Sequence, residues 1–165
     1  MGMNHLPQVL PSLKFNQAVK RVFHHYWTFR GRARRSEYWW FKLFEMLAFF
    51  LVNCLDTLIT NFILNHFNLH FRGSVGVLTL IVFVGLLLPD LAVFWRRFHD
   101  IGRSGWYWLV FFVPIVLSTV LASFTYAGSI FFGILGLVAF AALLAFCCLD
   151  SRKEINKYGP SPKYK

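Results

Sequence analysis

Along the chain, long apolar stretches alternate with short segments that hold nearly all of the charge, and four of the stretches reach membrane-spanning length. They fall at about residues 40 to 62, 75 to 95, 106 to 124 and 129 to 149. Ser104 to Leu149 is a run of 46 residues without Asp, Glu, Lys or Arg. A helix needs roughly 20 residues to cross a hydrocarbon core of about 30 Å, so this run predicts two crossings joined by a turn at Thr125 to Gly128. The first stretch is interrupted by Lys42, Glu45, Asn53 and Asp56, and by hydropathy alone it also fits an interfacial helix.

Basic residues decide the number of crossings. Seven Lys and Arg precede residue 40, Arg96, Arg97 and Arg103 occupy the second connection and five lie in the tail, whereas the first connection has Arg72 alone and the third has none. Basic segments are retained in the cytoplasm, so the alternation predicts four crossings with both termini cytoplasmic. Three crossings would put one basic terminus on the wrong side. Ahead of the first span, Phe15, Ala18, Val19, Val22, Phe23, Tyr26 and Trp27 recur at spacings of three and four, opposite Lys14, Gln17, Lys20, Arg21, His24 and His25. This predicts a short amphipathic helix capped by Ser12. It would lie in the plane of an anionic leaflet or pack against the protein's own loops, since both use the same pattern. The expected architecture is an all-α integral membrane protein with an amino-terminal segment (1–28), a four-helix transmembrane domain (29–150) and a basic cytoplasmic tail (151–165).

Composition points the same way. A chain of 165 residues that is 57% apolar, 15% charged and contains 20 Phe carries more hydrophobic side chain than a soluble domain its size can bury. The first apolar run begins near Leu43, behind a basic stretch, which does not fit a cleavable signal peptide. Cys54, Cys147 and Cys148 make no disulfide framework and read as reduced packing residues. The net charge of +10 tracks one membrane face, so anionic phospholipid is the expected polyanion and nucleic acid is not. There is no internal repeat and no inverted pair of broken helices of the kind that marks secondary transporters.

Three stretches are richer in special residues than topology requires: FRGRARRSEYWWF (Phe29 to Phe41), RRFHDIGRSGWYW (Arg96 to Trp108) and NKYGPSP (Asn156 to Pro162). Together they resemble the bacterial inner-membrane family known as domain of unknown function 805. Its pattern has a GRxxR-E-W-type start to the first helix, an RRxHDxGRSGW loop and an NxYGxxP tail. The resemblance covers about residues 22 to 162 and implies a small bacterial inner-membrane protein with four helices. It implies no activity, and Asp90 and the polar positions of the first span lie outside its pattern.

The central loop admits two readings. In one, it is a positive-inside hairpin turned by Gly102 and Gly105, in which Asp100 pairs with a neighbouring Arg and caps the next helix. In the other, Arg96, Arg97, His99 and Arg103 form a phosphate or lipid head-group pocket with Arg32, Arg35 and neighbouring arginines of the other loop. Ser104 as nucleophile with His99 as base fits no known catalytic spacing.

Within the membrane, Asp90 lies about 8 Å inside Trp95 and Asp56 about 24 Å beyond Trp40, so they sit near opposite faces. Asp90 is level with Lys42 and Glu45, an expected ion cluster. Asn53, Asp56, Thr57, Thr60 and Asn61 form one polar stripe, for hydrogen bonding between helices or for a solute or proton path. His66 and His70 are four apart but lack a third ligand, so no metal is expected. The reading is a non-enzymatic inner-membrane protein without a cofactor, whose basic face binds anionic lipid, a membrane-protein partner or a second copy. The alternative is a transporter or channel component using Asp56 or Asp90.

Overall fold

The computed structural model describes residues 8–67, 76–121 and 126–164. The chain is helical, with α1 (Phe15–His24), α2 (Arg35–Phe67), α3 (Val77–Asp100), α4 (Tyr107–Leu121) and α5 (Tyr126–Cys148). Among the described residues there is no strand, only isolated bridges of Val9 with Tyr164 and Asn156 with Gly159. Three helical stretches are long and apolar enough to cross a membrane: Arg35–Ile63, Val77–Asp100 and Ile130–Cys148. The apolar α4 has 15 residues. The turn expected at Thr125 to Gly128 lies partly outside the described residues, as do Arg72 and His70.

Each apolar stretch predicted from the sequence is a helix, but α2 starts earlier, at Arg35, and runs for 33 residues. At 1.5 Å per residue it is about 50 Å long, well over a hydrocarbon thickness. Its first turns therefore belong to a folded end built from the amino-terminal segment, the α3–α4 connection and the tail. We call this the basic end.

Helix α2 packs along α3, and α4 along α5. The buried apolar core, including Val22, Ala33, Tyr38, Phe41, Val93, Phe98 and Cys147, lies at the basic end. Farther along the helices, Phe50, Leu58, Phe62, Val84, Phe131 and Leu137 are exposed, as expected of surfaces that lipid solvates. Helix α1 buries Ala18 and Val22 and sets Phe23 edge-on against Phe41 and Phe44 of α2. Phe15 and Trp27 remain exposed. Of the cysteines, Cys147 is buried, while Cys54 and Cys148 are exposed; all three are free.

The α3–α4 connection is tight. Gly102 has φ of +78°, and a side chain there would meet the guanidinium of Arg152. A Cβ on Gly105 would fall 2.1 Å from the ring of Trp95. These two contacts account for glycine at both positions. Asp100 pairs with an arginine as expected but does not cap α4. It ends α3 and turns inward, and the hydroxyl of Ser104 instead accepts from the Trp106 amide at 3.4 Å.

Candidate functional site

The basic end is organised around Asp100, which is fully buried. Its Oδ1 accepts from Nε of Arg32 at 2.9 Å, and its Oδ2 accepts from Nη1 of Arg97 at 2.7 Å and from the Ser151 hydroxyl. Two buried guanidinium groups around one carboxylate would be unfavourable without further acceptors. The backbone supplies them. Arg32 donates from Nη1 to the carbonyls of Glu154 and Gly159 at 2.9 and 3.2 Å, and from Nη2 to those of Asp100 and Arg152. Arg97 donates from Nε to the carbonyl of Cys147 at 3.2 Å and from Nη2 to that of Leu149. These oxygens at the end of α5 have no partner within the helix. A lysine has the charge but not the planar fork of donors that reaches them all.

A second carboxylate works beside the first. Glu37, fully buried in the first turn of α2, receives Nη1 of Arg96 at 2.7 Å, while Nε of Arg21 from α1 lies 3.2 Å from its other oxygen. His99 faces the carbonyl of Gly31 through Nδ1 at 3.1 Å. Its ring stacks on Tyr158, with centroids 3.6 Å apart and planes within 5°. Asn156 donates from its side chain to the His99 carbonyl at 2.9 Å and accepts the Tyr158 amide. Backbone bonds from Ala33 to Arg96 and from Arg152 to Asp100 complete the junction. The three dense sequence stretches thus form one interlocked unit.

The six basic residues expected to share a phosphate pocket occupy several settings. Arg32 and Arg97 are spent on Asp100, Arg96 on Glu37, and His99 lies under Tyr158. Arg103 is exposed, with its guanidinium 5.7 Å from the centre of the Tyr107 ring. Arg35 is exposed too, bonded to the Cys148 carbonyl at 3.2 Å and paired with Asp150 at 3.1 Å. Asp150 also holds Lys163 at 2.6 Å. Desolvation opposes ionisation of Asp150, but bonds from Lys163 and the Ser151 amide prevail and hold its carboxyl below the usual range. The contribution of this clip is therefore present above the ordinary carboxylate pKa and is lost as the pH falls through the depressed value. Glu37, Arg21 and Ser151 join the unit without any sequence motif that marks them as site residues. Only the position of Glu37 within an arginine-rich stretch hinted at its pairing.

Beside this unit, a recess of about 240 Å³ is lined by Val9 and Leu10 together with Ser12, Arg34, Arg35, Ser36, Ser151 and Lys163. Arg35 and Ser36 also line a groove of about 450 Å³ with Trp39, Trp40, Leu43 and Cys148. Arg34 is buried, and its Nη2 donates to the Pro11 carbonyl while its Nε has no partner.

Within the spans, Lys42 pairs with Asp90 at 2.5 Å and Glu45 at 2.8 Å, which is the expected cluster. Asp56 reaches from α2 to the start of α3, accepting from the Leu78 and Thr79 amides and the Thr79 hydroxyl. Asn53 is exposed, and its carbonyl accepts the Thr57 hydroxyl. Among the described residues no three His, Cys, Asp or Glu side chains could hold a metal ion.

A family model described as protein of unknown function (DUF805) matches residues 26–160. The inner membrane protein YhaH of Escherichia coli K12 is 30% identical over 143 residues, which is 87% of this chain and 93% of that protein. The inner membrane protein YhaI of the same strain is also 30% identical over 143 residues, 87% of this chain and 92% of that one. No solved structure matches.

Replacing Asp100 by Asn leaves Arg32 and Arg97 buried without a counter-charge, at a cost of about 3–5 kcal/mol. The tail would then detach, and trypsin would cut after Arg152, Lys153 and Lys157 many times faster than in the parent protein, whereas Arg103→Gln would leave cleavage unchanged. Equal cleavage of parent and Asp100→Asn protein would refute this role for Asp100.

Proposed function

We propose that this chain, which belongs to the DUF805 family of proteins of unknown function, crosses the inner membrane four times with both termini in the cytoplasm and holds an anionic phospholipid at its basic end without catalysing a reaction. The observation that carries this reading is that the recess holding Arg34, Arg35 and Lys163 and the apolar groove along Trp39, Trp40 and Leu43 share Arg35 and Ser36 in their walls. Such a site suits an amphiphile, with its phosphate among the guanidinium groups and an acyl chain against the tryptophans. Trp39, Trp40 and Trp106 are exposed at the same end, where indole rings favour the membrane interface. In this reading α1 and the turn that follows it lie across the leaflet surface with Phe15 and Trp27 towards lipid, and α4 is the remaining crossing. Alternation of basic connections supports that count.

Transport through Asp56 or Asp90 has less support. Asp90 is paired with Lys42, and Asp56 is committed to the amino terminus of α3.

Arg35 lies on the rim, where its bonds to the Cys148 carbonyl and Asp150 are exposed, so binding by its variants is compared at resistance to trypsin equal to that of the parent. Arg35→Gln should reduce retention of anionic phospholipid through detergent extraction by severalfold, as read by native mass spectrometry. Arg35→Lys should restore it only in part, because an ammonium lacks the bidentate fork. Diffuse attraction, worth about 1 kcal/mol per basic residue, predicts instead that Lys equals Arg and that moderate salt erases the preference. Equal retention by all three forms would reject the site.

Topology is tested in a background with Cys54, Cys147 and Cys148 replaced by Ala. In intact cells an impermeant thiol reagent should label Asn68→Cys and spare Lys157→Cys. Labelling at position 157 would overturn the four-crossing arrangement.

A further inference from the structure

On another side of the basic end, a cleft of about 280 Å³ is lined by Arg21, His25, Arg30, Arg32 and Arg96, with Tyr158 and Pro160 of the tail closing it. Four guanidinium groups converge here, and their charges are unequally neutralised. Arg32 is spent on Asp100. Arg21 and Arg96 share the single carboxylate of Glu37. Arg30 is exposed and has no hydrogen-bond or ion-pair partner among the described residues. Three guanidinium charges less one carboxylate leave two positive charges facing one small volume.

The buried member of the set is also incompletely bonded. Arg96 is 2% exposed and uses only Nη1 on Glu37, while Nε and Nη2 have no partner. Those two nitrogens form one edge of the guanidinium plane, the edge whose parallel N–H groups match two oxygens of a phosphate. Buried donors without acceptors are unfavourable, so an acceptor is called for at this place. The cleft walls are arginine, histidine, tyrosine and proline, without the apolar groove that adjoins the recess at Arg35.

We infer that this cleft binds a phosphate monoester, with Arg96 presenting its free edge to the phosphoryl oxygens and Arg21 and Arg30 balancing the charge. A monoester carries about −1.5 to −2 at neutral pH and matches the two uncompensated positive charges, whereas the single charge of a phosphodiester leaves one unanswered. The ligand differs from the phospholipid proposed for the other recess, and the inference does not depend on that proposal. A soluble metabolite or a membrane lipid whose head group ends in a phosphate could supply the same chemistry.

The test uses the full-length protein in nanodiscs of zwitterionic lipid. Glycerol 3-phosphate is titrated at constant ionic strength, with binding read calorimetrically, and parallel discs contain phosphatidic acid, with lipid retention read by mass spectrometry. Saturable binding of glycerol 3-phosphate identifies a soluble ligand, and selective retention of phosphatidic acid identifies a lipid; either supports the cleft provided that Arg30→Gln and Arg96→Lys weaken it about tenfold or more. Arg30→Gln touches no core contact and carries the test by itself; Arg96→Lys keeps the charge opposite Glu37 but alters a buried side chain, so its binding is compared at resistance to trypsin equal to that of the parent. Binding of neither ligand by the parent protein, or equal binding by parent and both variants, would overturn the inference. Variants of Arg35 should leave this binding unchanged, which separates failure here from failure of the phospholipid site.

Discussion

Everything at the basic end depends on one buried carboxylate. Asp100 closes α3, and around it meet an arginine from the segment before α2, an arginine one helical turn back in α3 and a serine from the tail. Two positive charges and one negative charge could not remain in so dry a place by mutual attraction alone, because removing each ion from water costs several kcal/mol. The arrangement is tenable because Arg32 and Arg97 also satisfy carbonyls of the tail and of the end of α5. These carbonyls would otherwise be unpaired. The ion cluster therefore doubles as the cap of a helix and the anchor of the tail.

A membrane setting explains why such a device is useful. Between helices in lipid there is little hydrophobic drive to choose one partner over another, since acyl chains solvate Leu and Phe as well as a neighbouring helix does. The α2–α3 and α4–α5 pairs present largely apolar flanks. Contacts that join the pairs concentrate at the basic end, through Arg97 on the Cys147 carbonyl, Arg35 on that of Cys148, and Phe98 against Phe146. Buried charge at this end fixes which helices meet and in what register.

Much of the helical layout was legible because apolar length is a direct consequence of crossing a bilayer. Amphipathic α1 and the Lys42–Asp90 cluster followed from helical periodicity in the same way. The site was legible only as a set of residues. Arginines in a loop advertise positive charge, but whether each is spent internally depends on a carboxylate that is remote in sequence. Arg96 meets Glu37 across 59 positions, and Arg32 meets Asp100 across 68. No local pattern encodes such pairings, so Arg32, Arg96 and Arg97 read as surface ligands although they are buried. The capping of α3 by Asp56 from α2 was hidden for the same reason.

Arg32 and Asp100 stabilise the fold by acting on each other, and a double-mutant cycle measures that coupling. Unfolding free energies of the parent, Arg32→Met, Asp100→Leu and the double variant in bicelles would show each single change costing several kcal/mol and the double change costing less than their sum by about 1–3 kcal/mol. Additive losses, with no coupling energy beyond error, would show that the two residues act independently.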